Sequence, residues 1–313
     1  MSLADDVKAR ARELGFLACG ITHPGPSEYA EHLDQWLARG YAGMMRYLHR
    51  QAAKRKDPQR IVPGARSVIV VLDNYYTPDQ PQEHHPPRVA KYALGKDYHL
   101  VTAERLKQLA QLLRDRGAAL ARTFTDAGPV PERELAQRAG LGWIGKNTML
   151  VRPNAGSFFF IGCIFTDLVL DVDHPFDSDR CGSCTRCLDA CPTDAFVEPR
   201  LLDATRCISY LTIEQKGPIP EELAQHFEGY AFGCDICNSV CPWNQRFAEP
   251  VSRPEFQPAA LWSQVGENYF EEMSEEDFDT RFGETPLERA GLEGMRRNFR
   301  AVFGTRAPAG NAE

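Results

Sequence analysis

Residues 181–192 read Cys-Gly-Ser-Cys-Thr-Arg-Cys-Leu-Asp-Ala-Cys-Pro, a cysteine at every third or fourth position closed by a proline. A second passage, Cys234-Asp-Ile-Cys237-Asn-Ser-Val-Cys241-Pro242, repeats the pattern without its first cysteine. Nothing else in the chain restricts its folding so tightly. The N-terminal MSLADDVKARARELG interleaves acids and bases and has no apolar h-region, so neither a secretory nor a twin-arginine signal is expected. The longest apolar stretch, residues 157–165, is broken by Gly162 and soon meets Asp167, far short of the ~18 apolar residues a membrane span needs. The expectation is a soluble cytoplasmic protein, and in that reducing compartment clustered thiols are metal ligands rather than disulfides.

The first passage has the spacing C-x2-C-x2-C-x3-C-P of bacterial two-cluster ferredoxins. Three thiolates three residues apart wrap one face of a 4Fe–4S cube. The fourth, at the start of a helix where proline is tolerated, ligates the other cube. The second passage supplies the reciprocal set, with Cys207 as the missing first thiolate. Cluster one is therefore assigned to Cys181, Cys184, Cys187 and Cys241, and cluster two to Cys191, Cys207, Cys234 and Cys237. Two tetrahedral zinc sites are the competing reading, but zinc pairs usually lack the third close cysteine and the paired Cys-Pro. Cys19 and Cys163 lie in apolar runs and read as buried thiols.

Around this module the chain reads as α+β. Residues 2–14 form a helix capped by Ser2 and Asp5 and closed by Gly15. A strand follows from Phe16, then an amphipathic helix over about 28–48. Residues 67–72, Ser-Val-Ile-Val-Val-Leu, predict a strand covered on both faces. Residues 77–87 are a proline-rich loop. Thr102 to Arg116 is a helix with Leu106, Leu109, Leu112 and Leu113 on one face, and 157–170 returns to strand. The expected organisation is a layered α/β domain at 1–175, a ferredoxin-like domain at 176–246, and a helical segment at 247–313. Two adjacent clusters move single electrons, so the first domain is expected to hold what they feed.

The segment Thr125-Asp-Ala-Gly-Pro-Val-Pro-Glu-Arg-Glu-Leu-Ala-Gln-Arg-Ala-Gly-Leu-Gly-Trp-Ile-Gly-Lys-Asn-Thr148 resembles the signature of the epoxyqueuosine reductases. Residues 91–99, 156–162, 207–214 and 233–244 add further matches, and the resemblance runs from about residue 5 to 300. It implies a nitroreductase-like cobalamin-binding domain, two 4Fe–4S clusters, and removal of the epoxide oxygen from epoxyqueuosine at the wobble position of tRNA with a GUN anticodon. It implies a nucleophilic cob(I)alamin recharged by the clusters from an external donor such as flavodoxin or ferredoxin. It makes Asp126 the proton donor, protonated near neutral pH by burial beside the corrin. Asp126 before Ala-Gly-Pro also reads simply as a turn residue. By resemblance the corrinoid contacts are Arg60, Tyr98, Asp126, Asn147, Thr148, Ser209, Cys234 and Asp235. Asp97-Tyr-His99 begins a D-x-H-x-x-G motif but Thr102 stands where its glycine belongs, so His99 is not expected to ligate cobalt.

Net charge is −7, which excludes a wholly basic nucleic-acid binder but not a local patch. Arg50 to Arg60 carries five positive charges, and Arg289, Arg296, Arg297 and Arg300 make the end basic; both are expected phosphate contacts. The C-terminus resembles the start of a HEAT-like repeat cut short. No feature demands more than a monomer. Other readings are a different cobalamin-dependent reductase, such as a reductive dehalogenase, and a non-catalytic electron carrier.

Overall fold

The computed structural model describes residues 2–78 and 87–304. The proline-rich stretch at 77–87 therefore lies mostly outside the described residues. The first helix, Leu3–Glu13, carries the expected capping box: the Asp5 amide donates to the Ser2 hydroxyl and the Ser2 amide to the Asp5 carboxylate.

Four strands form one antiparallel sheet in the order Ala18–Thr22, Ser67–Asn74, Phe159–Thr166, Ala121–Phe124. Its two central strands pair from Ser67↔Thr166 to Asn74↔Phe159. Val68 through Leu72 are fully buried because helices cover both faces. On one face Val7, Ile21, Ile69, Val71, Leu106, Leu109, Leu113 and Ile164 pack together. On the other, Val68, Val70, Leu72, Leu135, Ala136, Cys163 and Phe165 do. The continuous apolar run of the sequence thus marks a two-sided strand, here in an antiparallel sheet rather than the parallel sheet where such runs are commonest.

A second apolar cluster joins distant parts of the chain. Val89 and Leu94 meet Ile208, Leu211, Phe227 and Phe232, and these meet Trp262, Phe270, Phe282, Met295 and Phe299. The short strand Tyr230–Phe232 pairs in parallel with Arg88–Val89. The C-terminal helix, Gly291–Gly304, packs into this cluster through Leu292, Met295, Phe299 and Val302.

Three sequence expectations are corrected. The helix expected over 28–48 is broken into Ala30–Ala38 and Arg46–Arg50, because Gly40 and Gly43 take φ of 74° and 53°, and a separate short helix follows at Ala52–Lys56. The helix expected from Thr102 starts a turn earlier, running Tyr98–Asp115 with Asp97 accepting the His99 amide at its N-cap. Pro242 opens a helix, Pro242–Phe247, as expected, but Cys191-Pro192 leads into a turn that ends on Asp194 at φ 49°.

Candidate functional site

Two places carry chemistry: the eight cysteines, and the open site around Asp126.

The cysteines feel one another, mostly within the sets assigned from spacing and in one case across them. Burial first, then the sulfurs of Cys181, Cys241 and Cys184, push the Cys187 thiol up. Cys241, raised by burial, also feels Cys181 and Cys184. In the other set Cys234, raised by burial, feels Cys237 and Cys207. Cys237 feels Cys207 and Cys191, and Cys187 across the divide. Protein donors already face these sulfurs. Trp143 Nε1 lies 3.4 Å from Cys181 Sγ and the Ala195 amide 3.4 Å from Cys191 Sγ. Nearby backbone amides lower the Cys207, Cys234 and Cys241 thiols against the rise that burial causes. Amides aimed at thiolates are what an anionic iron–sulfur cube requires, and they help set its potential. Among the described residues no three thiol, imidazole or carboxyl groups close on the point a single ion would occupy.

A buried amide network fastens this segment to the sheet. Asn147 Nδ2 and Ser157 Oγ both donate to Asn238 Oδ1, at 3.2 Å each. Asn244 Nδ2 donates to Ser157 Oγ and to the Asn238 carbonyl, both at 2.8 Å, while its Oδ1 accepts the Ser157 amide at 2.6 Å. Gly156, at φ 77°, is needed here, since a Cβ would stand 2.0 Å from Asn244 Oδ1. Asn147 is therefore committed to the network. Thr148, at φ 67°, accepts from Arg133 through its carbonyl at 2.6 Å.

Asp126 sits at φ 50° where the Ala121–Phe124 strand ends, with its side chain exposed. Tyr98 Oη donates to Asp126 Oδ2 at 2.6 Å. Tyr98 is buried and stacked on Phe160, with centroids 4.1 Å apart. Burial first, then the Asp126 charge, push its phenol far up, so it remains a donor. The Asp126 amide donates to Glu132 Oε1 at 2.7 Å. Burial and Asp126 together push the Glu132 carboxyl up to about 8. Arg133, exposed at the surface, feels the charge of both acids. Arg55 is likewise lowered by burial, feels Tyr47, Glu132 and Asp126, and leaves its Nε without a hydrogen bond. The burial that resemblance requires of Asp126 is not supplied by this chain's own atoms.

Tyr92 joins the two places. Its ring meets Tyr98 edge-on at 6.2 Å, and burial, Asp126 and Asp235 all push its phenol up. Asp235, itself raised by burial, accepts the Lys91 amide at 2.6 Å and directly follows Cys234. Tyr98 thus touches Tyr92, Asp126 and Asp235 act on it through their charge, and Ser209 lies at Cys207. Arg60 is exposed and paired with Asp57 at 3.4 Å. His99 has its Nδ1 2.8 Å from Asp97 Oδ1 and its ring stacked on Tyr98.

Sequence reasoning missed Tyr47, Arg55, Tyr92, Glu132 and Arg133 as site residues. Glu132 and Arg133 were within reach of it, lying in the signature segment six and seven residues after Asp126. The basic stretches are less free than their charge suggests. Lys56 pairs with Asp34, Arg289 with Glu214 and Arg300 with Glu271, while Arg296 and Arg297 donate to backbone carbonyls.

Comparison with known proteins bears on both places. Residues 55–127 match the family described as "Epoxyqueuosine reductase QueG, DUF1730", and residues 180–244 match "4Fe-4S double cluster binding domain". The epoxyqueuosine reductase of Cyclobacterium marinum is 44% identical, the match covering 95% of each chain. That of Pseudomonas aeruginosa is 44% identical over 96% of this chain and 85% of its own. An epoxyqueuosine reductase solved with an epoxyqueuosine-modified tRNA-Tyr stem loop superposes with a TM-score of 0.86 and 29% identity. That match covers 97% of this chain and 81% of the other. The Bacillus subtilis enzyme, captured with its catalytic aspartate loop swung out of the active site, gives a TM-score of 0.84, 29% identity and the same coverage. Among the described residues no helix is long and apolar enough to cross a membrane.

Proposed function

This chain belongs to the epoxyqueuosine reductase family, and from that premise we propose that it reduces epoxyqueuosine to queuosine in tRNA. The balance is two electrons and two protons in, and one water out, as the epoxide oxygen leaves the ring. The observation that carries the reading is the joint presence of two four-cysteine sets and an open carboxylate at Asp126, linked through Tyr92.

The two cysteine sets hold 4Fe–4S clusters, assigned as in the sequence, and bring electrons one at a time from an external donor protein. Cobalamin, once bound and reduced, would supply a nucleophilic metal centre able to open an epoxide. Tyr98, Asp126, Thr148, Ser209, Cys234 and Asp235 would hold it, with Arg60 and Asn147 as further contacts by resemblance. The residues suit such a group: Asp126 is exposed while bonded to Tyr98, and Tyr92 feels the charge of both Asp126 and Asp235. His99, bound to Asp97 and stacked on Tyr98, is occupied elsewhere.

Asp126 gives the proton that the opened ring's alkoxide needs. Tyr98 fixes the carboxylate and stays protonated while doing so. Arg133 and Arg55 lie close enough to steady the acids when they ionise. Substrate and cofactor seated over the exposed face of Asp126 would exclude water from it.

On this reading residues 1–175 form a nitroreductase-like catalytic layer, 176–246 the two-cluster module, and 247–313 a short HEAT-like element touching tRNA. The enzyme acts as a monomer in the cytoplasm. The test is the iron, cobalt and zinc content of anaerobically purified protein after incubation with cobalamin, followed by assay on epoxyqueuosine-containing tRNA. About eight irons with one cobalt and formation of queuosine supports the reading. Iron without cobalt leaves an electron carrier, and zinc alone removes the clusters.

A further inference from the structure

Asp126 is held from two sides. Tyr98 holds its carboxylate, and Glu132 holds its backbone amide at 2.7 Å. The second bond matters because Asp126 sits at φ 50°, a left-handed conformation that a non-glycine residue keeps only when its surroundings impose it. Glu132 is well placed to impose it. It opens the helix Glu132–Arg138, whose Leu135 and Ala136 are buried against the sheet, and its carboxyl folds back over the loop 126–131.

We propose that Glu132 is a positioning residue: its carboxyl group latches the Asp126 loop in the place where Asp126 acts, and releasing the latch lets the loop leave the site. The inference rests on the role given above to Asp126.

The groups facing the latch come from several elements. They are Asp126 and Arg133 beside it, Arg55 from the helix Ala52–Lys56, Tyr98 from the long helix, and Cys163 from the central strand. Burial and the Asp126 charge outweigh the Asp126 amide, Arg133 and Arg55, pushing the Glu132 carboxyl up to about 8. The latched state therefore prefers the protonated acid, whereas a loop swung into water returns Glu132 to an ordinary carboxyl value near ~4.3. The sign follows from proton linkage. Latching is strongest below the ordinary value and weakens as pH rises, with the loss complete above about 8.

Amide hydrogen exchange across 125–131, corrected for intrinsic rates, reads this directly on the full-length iron–sulfur protein between pH 6 and 9. In the wild type the opening equilibrium should rise by up to about tenfold per pH unit and level off above pH 8. Glu132→Gln keeps the acceptor oxygen and cannot ionise. It should give a flat profile, and turnover by the cobalamin-loaded variant should lose the matching alkaline decline. Glu132→Ala should leave the loop unprotected at every pH and lower kcat at least tenfold with KM little changed. Equal slopes in wild type and Gln variant would overturn the proposal, as would wild-type protection in the Ala variant. If Glu132→Ala fails to fold, the Gln comparison still decides. The exchange readout requires neither cobalamin nor tRNA, so its failure is distinct from failure of the proposed reaction.

Discussion

Val68 through Leu72 are fully buried, whereas from Asp171 to Pro192 no residue is. The two stretches lie in one chain and are held by different forces. The sheet body has helices on both faces and supplies its own folding energy, each fully buried aliphatic side chain contributing about 1.5–3 kcal/mol. The first cysteine loop has next to no core and is anchored at its ends by bonds such as Lys146 Nζ to the Gly182 carbonyl and Arg200 to Asp179. A segment so exposed cannot offset its own ordering entropy. It must draw that stability from what its thiolates bind. One region is a scaffold in its own right, and the other becomes one on loading.

Removing the clusters is the strongest way to break this contrast. Stripping the iron should abolish amide protection across 176–192 while leaving 67–74 and 159–166 protected, and Cys187→Ala should halve the iron and eliminate turnover. Loss of protection in both regions at once would show that they fold as one unit. Asp126→Asn comes next: turnover should fall about 10²–10⁴-fold with iron content unchanged, separating the reaction from both sources of stability. Ile164→Ala, fully buried in the sheet, should destabilise the fold by about 2–5 kcal/mol without altering iron per folded chain. Tyr98→Phe removes one hydrogen bond to a carboxylate, worth about 1.5–3 kcal/mol, so kcat should drop roughly ten- to a hundredfold with unchanged melting of the sheet. The smallest effect is expected from Lys54→Glu, an exposed charge in the Arg50–Arg60 stretch. It should weaken tRNA binding a few-fold and lower the salt dependence by about one counterion. Full salt dependence in that variant would remove the stretch from the interface.

The same contrast explains what could be read from the sequence. The double-cluster module was legible because a cube is wrapped by residues three apart, and local spacing is what a sequence displays. The central strands were legible because a run of β-branched residues with no polar face has few other uses. The site around Asp126 was legible only in part. Tyr47, Arg55, Tyr92, Tyr98 and Glu132 come from separate elements and meet through packing, which spacing does not encode. The break in the 28–48 helix turned on Gly40 and Gly43 taking positive φ, where amphipathic periodicity alone favoured continuity. The partners of the C-terminal arginines were illegible for another reason. Sequence shows their charge, while Glu214, Glu271 and the carbonyls that absorb it lie elsewhere in the chain.

The apolar cluster that joins Val89 and Phe232 to Phe299 has a consequence for the order in which this protein can be made. Phe232 stands two residues before Cys234, and its packing is completed by the helix Gly291–Gly304, which is synthesised well after it. While the ribosome still holds that helix, the ground beneath the second cysteine set is unfinished, although every one of its four cysteines has already emerged. Metal loading there belongs after that helix has emerged, and a chain stalled short of it would present thiols with no built site to receive iron.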